Sequence, residues 1–441
     1  MIRAITNLAK EFLEISKDKN IRLITHYDTD GITSAAIMVQ TFKRLDIKFS
    51  LRIVKGLDKC IIETELKRNE KEILFFVDLA SSNIEFLQTS KNPVFILDHH
   101  EVDATKLTQK IKMVNPHLFK EDEICSAGLS YLFSKALSEA NKDLSNLAII
   151  GMIGDRHETQ LSKTYQQILK DSEALEIKKS LLIFSATRPI KRALEYSTAF
   201  YIPGVTGSST GVQELLQENS IPWEKTLYEL TEEEVSRLVT SISVRMATKG
   251  DKTPIIGNLY IMKFFNKKED VRELSVLINA CSRLGHPETA LSFCLQLEKS
   301  KERAQEIYIK YKQELVDALK NAEKIEKIQG NKFMILNAKD QIKDTLIGTV
   351  TSILSSSLDY EEGTILIGMA YNQDKIKVSA RIAGKHGKNL KEVLERTLTV
   401  NNFEAEMGGH QKAAGCLIKK EDEERFIEEL KKILEIDIIK I

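Results

Sequence analysis

Short apolar runs alternate with helical patterns over the first 185 residues of the chain. The runs predict strands at 21–25, 50–54, 73–77, 94–97 and 111–114. The segments between them repeat apolar positions at the period of a helix, which is typical of a parallel α/β sheet. A further apolar run at 148–154 also predicts a strand. We therefore expect residues 1–185 to form one domain around a parallel sheet.

The pattern changes after residue 185. Residues 186–298 combine a loop-rich start with mixed helical and strand patterns, which predicts an inserted α/β region. Apolar side chains at steps of four and three then predict one long helix over 299–328. A second α/β pattern follows, with strands predicted at 332–336, 364–370, 376–382 and 413–418. The expected architecture is α/β throughout, with a parallel-sheet domain (1–185), an insertion (186–298), a connector helix (299–330) and a smaller C-terminal α/β domain (331–441).

Carboxylates and imidazoles follow the predicted strands at their carboxyl ends. An aspartate at such a place is more often a turn residue or a helix cap, but here the pattern recurs four times in order. Carboxyl ends of parallel strands converge in space, where these groups would repel one another unless cations lay between them. Mixed imidazole and carboxylate ligands favour Mn²⁺ at a two-ion site over Mg²⁺. The residues concerned are His26, Asp28, Asp30, Asp78, Asp98, His99, His100 and Asp155.

Composition narrows the class of protein. The 441 residues are 42% hydrophobic and 29% charged, without the roughly 18 uninterrupted apolar residues of a membrane span. Five scattered cysteines without a CxxC pair favour a reduced protein, and the N-terminal pattern is not that of a signal peptide, so we expect a soluble, cytoplasmic protein without a membrane partner. Basic and acidic residues are equal at 64 each, so nucleic-acid binding would depend on local patches such as 375–391, which lacks Asp and Glu.

The ordered motifs resemble those of the DHH phosphoesterase superfamily. HYDTDG at 26–31, Asp78, the triplet at 98–100 and GDRHE around Asp155 match its four motifs. GGHQKAAG at 408–415, with Ser379 and Arg381 upstream, resembles the DHH-associated C-terminal domain. The segments YIPGVTGSSTGV (201–212) and LINACSRLGHPETAL (277–291) are similar to archaeal RecJ-like exonucleases of the GINS-associated nuclease type.

The resemblance implies a role for each matched residue. One ion would be held by His26 and Asp28, the other by Asp30, His99 and Asp155, with Asp78 bridging both. His100 would contact the scissile phosphate or assist proton transfer, and Asp98 would orient a histidine. The implied substrate-binding residues, on a domain facing the metal site across a central cleft, are Ser379, Arg381, Gly408, Gly409 and His410.

The implied function is a Mn²⁺-dependent exonuclease that hydrolyses phosphodiesters of single-stranded DNA, with RNA as a further substrate, by means of two metal ions. The resemblance implies 5′→3′ polarity, with the paralogous 3′→5′ type as the alternative. The expected setting is DNA replication and repair. Two alternatives stay open at this point: a phosphodiesterase for short oligonucleotides or cyclic dinucleotides, and a replisome scaffold that binds GINS or the replicative helicase complex without catalysis. The complete set of metal-ligand residues disfavours scaffolding alone.

Overall fold

The computed structural model divides into two compact units, Met1–Tyr308 and Ile309–Ile441. Each is described by itself. The residues that the structure describes are 1–68, 71–119, 123–159, 161–183, 185–195, 202–247, 255–357, 360–384, 386–400 and 402–435. Within them, no helix combines the length and the apolar character that crossing a membrane requires.

The first unit contains a parallel five-stranded sheet with the order β2-β1-β3-β4-β5, which confirms the predicted parallel-sheet domain. Its strands are β1 (Asn20–His26), β2 (Phe49–Val54), β3 (Glu72–Val77), β4 (Val94–Leu97) and β5 (Ile111–Val114). The helices around it are α1 (Ile2–Ile15), α2 (Thr29–Arg44), α3 (Lys59–Leu66), α4 (Ile84–Leu87), α5 (Ser126–Leu137), α6 (Ser145–Gly154) and α7 (Lys163–Asp171).

Both faces of this sheet are covered because its strands are apolar on both sides. Along β3, Phe75 enters one core, where its ring lies 5.6 Å from those of Phe12 in α1 and Phe133 in α5. The next residue, Phe76, enters the opposite core with Ile62 of α3. Such near-continuous apolar strands are typical of parallel sheets between two helical layers. Polar side chains that could bind a ligand are therefore expected at the ends of the strands rather than on the faces of the sheet.

A second part of the first unit has its own small sheet. Strands β6 (Leu175–Leu181), β7 (Ile256–Phe264) and β8 (Lys267–Asp270) pair antiparallel in the order β6-β7-β8. They are accompanied by α8 (Ile190–Glu195), α9 (Ser209–Glu218), α10 (Glu232–Ala247), α11 (Val271–Arg283) and α12 (Pro287–Cys294). Leu181, Leu215 and Leu238 belong to a separate core here, whereas Ile278 of α11 packs into the core of the large sheet.

The second unit is built on a six-stranded sheet with the order β13-β14-β12-β11-β10-β9, in which only the β10–β11 pair is parallel. Its elements are β9 (Ile328–Gly330), β10 (Phe333–Asn337), α14 (Asp344–Ser355), β11 (Ile365–Asn372), β12 (Lys375–Ile382), α15 (Leu390–Val400), β13 (Glu406–His410), β14 (Ala413–Lys419) and α16 (Glu423–Glu435). Leu394 of α15 and Phe426 of α16 pack on one face. Gly348 of α14 lies beside Ser379 on the other.

Two predicted elements need correction, and one strand, β13, was not predicted. The run 148–154 is not a strand but most of α6, which is buried on all sides and so shows no helical period of polar residues. The long helix α13 (Ser300–Lys324) ends earlier than residue 328, where strand β9 begins, and the boundary between the two units falls within it. Strand β13 was not predicted, because two consecutive glycines are rare in strands.

Candidate metal centre

The order of strands determines where polar side chains meet. The chain passes from β1 to β2 on one side and then returns to β3 on the other, so the β1–β3 pair is the switch point at which ligands bind in open α/β sheets. His26 is the last residue of β1, and Asp78 directly follows β3. Their predecessors, Thr25 and Val77, are partners in the parallel ladder. The two side chains therefore stand next to each other at the carboxyl edge.

The turn from β1 into α2 supplies two further carboxylates. Asp28 caps α2 by accepting a hydrogen bond from the backbone N–H of Gly31 at 3.0 Å, and Asp30 lies in the first turn of the helix. A side chain at position 31 would put its Cβ 2.3 Å from the carbonyl oxygen of His26, so only glycine permits this turn. The cap position of Asp28 and the first-turn position of Asp30 place both carboxylates beside the carboxyl ends of the strands.

Asp30 is fixed by the start of α5. Its two carboxylate oxygens each accept a backbone hydrogen bond at 2.8 Å, from Ser126 and Ala127. A carboxylate in contact with a helix N-terminus is favoured by the unpaired N–H groups and by the helix dipole. A Cβ at Gly151 of α6 would lie 3.0 Å from the same carboxylate, so the glycine leaves room for it. Asp30 is thus held rigidly in the buried rim of the site.

Asp78 is the central acid of the arrangement. It is 1% exposed, and neither of its carboxylate oxygens has a hydrogen-bond partner among the described residues. The nearest donors are imidazole nitrogens: Nδ1 of His26 lies 3.4 Å from Oδ2, and Nε2 of His99 lies 3.5 Å from Oδ1. Its backbone has a φ of 59°, a left-handed conformation that costs a non-glycine residue energy and marks functional sites. A buried carboxylate in this state is stabilised by a cation beside it, which a metal ion or the two imidazoles in their protonated form can supply.

Other ligand atoms surround Asp78 at similar distances. Nδ1 of His26 lies 3.1 Å from Oδ2 of Asp28, and Nε2 of His99 lies 3.7 Å from Oδ2 of Asp30 and 3.3 Å from Oδ2 of Asp155. Two atoms that each lie about 2.1 Å from one small dication, 90–110° apart, are separated by about 3.0–3.4 Å. Most of the separations fall near this range and exceed a normal hydrogen bond. The donor set fits two divalent cations that share Asp78.

These groups shift one another's pKa values. Burial alone would lower the pKa of His26 and His99, but Asp28 beside His26 and Asp78 beside His99 hold both pKa values well above the ordinary value. Burial raises the pKa of Asp30 well above the ordinary value, and the charge of Asp78 adds to the effect. Acids that oppose one another's ionisation in this way are stabilised by divalent cations.

The predicted triplet after β4 divides into different roles. His99 points at the acids described above, whereas Asp98 is fully buried and accepts hydrogen bonds from the backbone N–H groups of Ser81 at 2.9 Å and His99 at 2.8 Å. His100 contacts Asp98 through Nδ1 at 2.7 Å, and its side chain is 53% exposed. Asp98 therefore shapes the turn and orients His100, whose Nδ1 it contacts. Ligand atoms of His100, His99 and Asp78 also lie within 4.8 Å of one another.

Asp155 reaches the site from a helix rather than a strand, as the residue that ends α6. Burial would raise the pKa of this carboxyl, but His157 and His99 keep it below the ordinary value. His157 was not predicted as a site residue. Its Nε2 lies 3.4 Å from Oδ2 of Asp155, on the oxygen that His99 also approaches. The signal in the sequence was an imidazole two residues after the predicted ligand.

Helix α11 supports the site from behind, which the sequence did not indicate. The hydroxyl of Thr29, between Asp28 and Asp30, donates to the carbonyl oxygen of Ser275 at 2.9 Å. Arg272, which is 7% exposed, lies 3.5 Å from Glu158 in the GDRHE motif. Both contacts join segments more than 100 residues apart, so the helix fixes two loops of the site at once.

Family models match both halves of the chain. The DHH family, N-terminal domain, matches residues 20–154, and the DHHA1 domain matches residues 317–436, which together cover more than half of the sequence. The chain belongs to the DHH superfamily. Members of this superfamily are phosphoesterases.

One sequence relative and two solved structures match this chain over nearly its full length. An uncharacterized protein of Methanocaldococcus jannaschii is 28% identical over 98% of this chain and 97% of its own. The crystal structure of RecJ in complex with Mn²⁺ from Thermus thermophilus matches with a TM-score of 0.61 and 17% identity, covering 99% of this chain and 55% of RecJ. The chain thus spans about half the length of that RecJ. Cdc45 from Entamoeba histolytica matches with a TM-score of 0.66 and 12% identity, over 98% of this chain and 99% of its own. The fold is RecJ-like.

The DHHA1 domain carries the predicted substrate-binding residues on strands β12 and β13, which lie on either side of β14. Ser379 of β12 pairs with Gly415 of β14, which pairs in turn with Gly408 of β13. Gly409 has a φ of 122°, and a Cβ there would lie 2.4 Å from the carbonyl oxygen of Ala413. Only glycine fits that position, whereas Gly408 faces open space. His410 lies at the end of β13, and its side chain lies outside the described residues, as does all of Lys385.

Helix α14 contacts Arg381 of β12, one of the predicted substrate-binding residues. The Nε of Arg381 donates to the hydroxyl of Ser352 at 2.9 Å, and its Nη1 donates to the carbonyl oxygen of Ala380 at 2.8 Å. A Cβ at Gly348 would lie 3.3 Å from the hydroxyl of Ser379 and 3.7 Å from Nη2 of Arg381, so a glycine keeps the space beside both side chains open. The sequence did not predict that α14 contributes Gly348 and Ser352 to this surface.

The basic segment 375–391 is less free than its composition suggested. Lys375 forms an ion pair with Glu406 at 2.7 Å, and the Nζ of Lys388 donates to the carbonyl oxygen of Leu434 at 2.9 Å. Exposed pairs of this kind contribute little to stability, but they reduce the charge available to a phosphate chain. Arg381 is therefore the better-placed cation of the predicted patch.

Proposed function

We propose that this DHH protein is a Mn²⁺-dependent exonuclease that hydrolyses single-stranded nucleic acid, with single-stranded DNA in the 5′→3′ direction as the leading assignment, in DNA replication or repair. One observation carries the proposal: the buried carboxylate of Asp78, without a hydrogen-bond partner among the described residues, lies between the imidazoles of His26 and His99. A RecJ that shares the fold was crystallised with Mn²⁺, which supports the choice of metal.

The proposed ligand sets are those the distances support. His26 and Asp28 would hold one ion, Asp30, His99 and Asp155 would hold the other, and Asp78 would bridge the two. Such ions, Mn²⁺ first and Mg²⁺ as the alternative, lower the pKa of a bound water and neutralise charge on a phosphodiester.

Two residues near these ligands would act on the substrate without binding metal. Nδ1 of His100 is paired with Asp98. Its Nε2 would therefore be the nitrogen that contacts a non-bridging phosphate oxygen or transfers a proton. Because the His100 side chain is half exposed, a substrate can reach it without displacing other side chains. Its role is proposed as catalytic, and that of Asp98 as orienting.

The substrate assignment rests on the DHHA1 domain. Arg381 can pair with a phosphate through a planar guanidinium, and its hydrogen bond to Ser352 fixes its direction. The glycines of β13 allow a strand to approach the backbone closely, since Gly408 meets no neighbouring atom. Binding of single-stranded nucleic acid relies on cations along the backbone together with base stacking. Because basic and acidic residues are equal at 64 each, this binding would depend on local cations such as Arg381.

The test uses the full chain with Mn²⁺ and single-stranded DNA or RNA labelled at the 5′ or the 3′ end. Release of labelled mononucleotide first from the 5′-labelled strand supports the proposed polarity, and release first from the 3′-labelled strand assigns the opposite one. Asp78→Asn should abolish hydrolysis, whereas Asp18→Asn, at an exposed position outside the motifs, should not. Hydrolysis limited to dinucleotides or cyclic dinucleotides would replace the exonuclease assignment by the short-substrate phosphodiesterase.

A replisome scaffold that binds GINS is the second candidate function, favoured by the fold similarity to Cdc45. The complete set of acids and imidazoles disfavours scaffolding as the sole function. Hydrolysis and the binding of GINS, measured for Asp78→Asn and Asp155→Asn, distinguish an enzyme from a pure scaffold. A pure scaffold would show no hydrolysis in any form of the protein, and both variants would retain the binding of GINS measured with the purified complex.

A further inference from the structure

His157 lies at the metal centre without an assigned role. It belongs to the short turn His157–Thr159 that follows Asp155, and its side chain is 14% exposed. Nε2 of His157 and Nε2 of His99 approach the same carboxylate oxygen, Oδ2 of Asp155, at 3.4 and 3.3 Å. One ligand atom from each of the three residues can be chosen so that all lie within 4.8 Å of one another. The three groups therefore converge on one small volume.

The spacing favours ligation over a hydrogen bond between His157 and Asp155. A charge-assisted N–H···O bond has a length of about 2.7–2.9 Å, which is clearly shorter than the observed 3.4 Å. Ligand atoms around one dication are separated by about 3.0–3.4 Å when each lies about 2.1 Å from the ion. The distance of His157 from Asp155 matches that expected for two ligands of a common ion.

The ring of His157 is held in place from two sides. It packs against the ring of Tyr165, with 5.6 Å between the centroids, and the hydroxyl of Tyr165 accepts a hydrogen bond from the backbone of Cys125 at 2.6 Å. The next residue, Glu158, is paired with Arg272 of α11 at 3.5 Å. Metal sites depend on such supporting contacts, because they orient the ligand before the ion binds. An imidazole that was only a surface group would not be fixed in this way.

We propose that His157 is a ligand of the ion held by Asp30, His99 and Asp155, an inference that rests on the proposed function. The set then contains two imidazoles and, counting the shared Asp78, three carboxylates. Imidazole nitrogen binds Mn²⁺ and other transition metals better than Mg²⁺, which prefers oxygen and retains water. His157 thereby gives the second ion site its preference for Mn²⁺ over Mg²⁺.

The experiment measures metal binding by the full chain, independently of hydrolysis. Mn²⁺ and Mg²⁺ are titrated separately into metal-free protein by calorimetry, and bound Mn²⁺ is counted by electron paramagnetic resonance. The expected result is two Mn²⁺ per chain in the unsubstituted protein. His157→Gln should retain one ion at unchanged affinity and bind the other at least 10-fold more weakly, with a smaller loss for Mg²⁺ than for Mn²⁺.

Two further variants keep the test decisive. His117→Gln, at an exposed histidine beyond β5, should bind both ions normally. His157→Asp replaces the imidazole by a carboxylate, so it should recover the second ion but with a reduced preference for Mn²⁺ over Mg²⁺. This recovery would not occur if His157 only positioned Asp155, and it also shows that the substituted chain folds.

The outcomes separate this inference from the function on which it rests. Two Mn²⁺ bound by His157→Gln, each within twofold of the unsubstituted affinity, would remove His157 from the ligand set and leave the metal centre intact. Fewer than two Mn²⁺ in the unsubstituted protein would overturn the two-ion centre, and the role of His157 with it.

Discussion

Asp98 and His100 form a closed pair at the edge of the metal centre, with 2.7 Å between Oδ1 of the buried acid and Nδ1 of the half-exposed imidazole. The pair explains why two adjacent histidines have different tasks. His99 points inward to Asp30, Asp78 and Asp155, whereas one nitrogen of His100 is already occupied by Asp98. Burial would lower the pKa of His100, but its bond to Asp98 holds that pKa above the ordinary value.

This division of tasks predicts that His100→Gln separates chemistry from metal binding. The variant should lose about 10²-fold in kcat, because a positioned proton donor or acceptor contributes roughly that much. It should still bind two Mn²⁺, since His100 is not among the proposed ligands. Single-turnover hydrolysis and Mn²⁺ titration of the same sample provide both measurements. The matched control is His286→Gln at an exposed histidine outside the site, and loss of one ion in His100→Gln would make His100 a ligand instead.

A second prediction concerns stability. In Asp78→Asn, the carboxylate that would bridge the two ions is replaced by a neutral amide, so the variant should lose most of the stabilisation that Mn²⁺ gives. Addition of Mn²⁺ at 100 times its dissociation constant should stabilise the unsubstituted protein by about 2.7 kcal/mol for each bound ion and the variant by much less. Thermal unfolding with and without Mn²⁺ measures the difference.

The exposed variant Asp18→Asn serves as the control and should respond to Mn²⁺ as the unsubstituted chain does. Equal Mn²⁺ stabilisation of Asp78→Asn and the control would mean that Asp78 does not bridge the ions.

Much of the site could be predicted because its residues follow locally readable elements. The apolar run 73–77 indicates a buried strand, and the carboxyl end of such a strand is where a ligand is expected, so Asp78 could be placed from sequence alone. The motif at 26–31 combines a helix cap with a required glycine, and both have local causes. Parallel pairing then brings these segments together in space.

The rest depended on contacts that leave no local pattern. The run 148–154 gave a wrong strand prediction, since a short, fully buried helix and a buried strand look alike in sequence. Asp155 still reached the site because the end of that helix lies at the same edge as the strands. The supporting pair of Glu158 and Arg272 joins segments far apart in the chain, so nothing near either residue indicated the other.

A third prediction tests the DHHA1 surface. Arg381→Ala should raise KM for single-stranded DNA at least 10-fold and change kcat by less than threefold, because the guanidinium would bind a phosphate distant from the reacting bond. The slope of log affinity against log salt should fall by about 0.7 for each lost phosphate contact. Ser352→Ala should raise KM less, by a few-fold, because Arg381 keeps its charge but loses the hydrogen bond that directs it.

Ser356→Ala is the matched control for these two variants. Ser356 is an exposed residue directly after the last residue of α14. Its hydroxyl donates a hydrogen bond to the carbonyl oxygen of Ser352 at 3.0 Å. Its KM and salt dependence should equal those of the unsubstituted protein. An Arg381→Ala variant with unchanged KM and salt slope would exclude this arginine from substrate binding.

The last prediction concerns a buried carboxylate away from the metal centre. Glu65 of α3 is 1% exposed and accepts hydrogen bonds from Arg22 at 2.8 and 2.9 Å and from Arg52 at 2.8 Å. Burial would raise its pKa, but the two arginines keep that pKa below the ordinary value. Replacing it by Gln leaves Arg22 without its charge partner, so Glu65→Gln should lower the free energy of unfolding by about 3 kcal/mol at pH 7.

The pH dependence of this loss follows from the direction of the pKa shift. A carboxyl with a lowered pKa in the folded state contributes stability above its unfolded pKa, about 4.3, and loses it as the pH falls through the folded value. The difference between Glu65→Gln and the unsubstituted protein should therefore be constant from pH 7 to about pH 5 and shrink below pH 4. Denaturant unfolding of metal-free protein across this range measures it. Glu63→Gln, on the exposed side of the same helix, should change little at any pH, and a Glu65→Gln loss that persists undiminished into acid would mean that its cause is packing rather than charge.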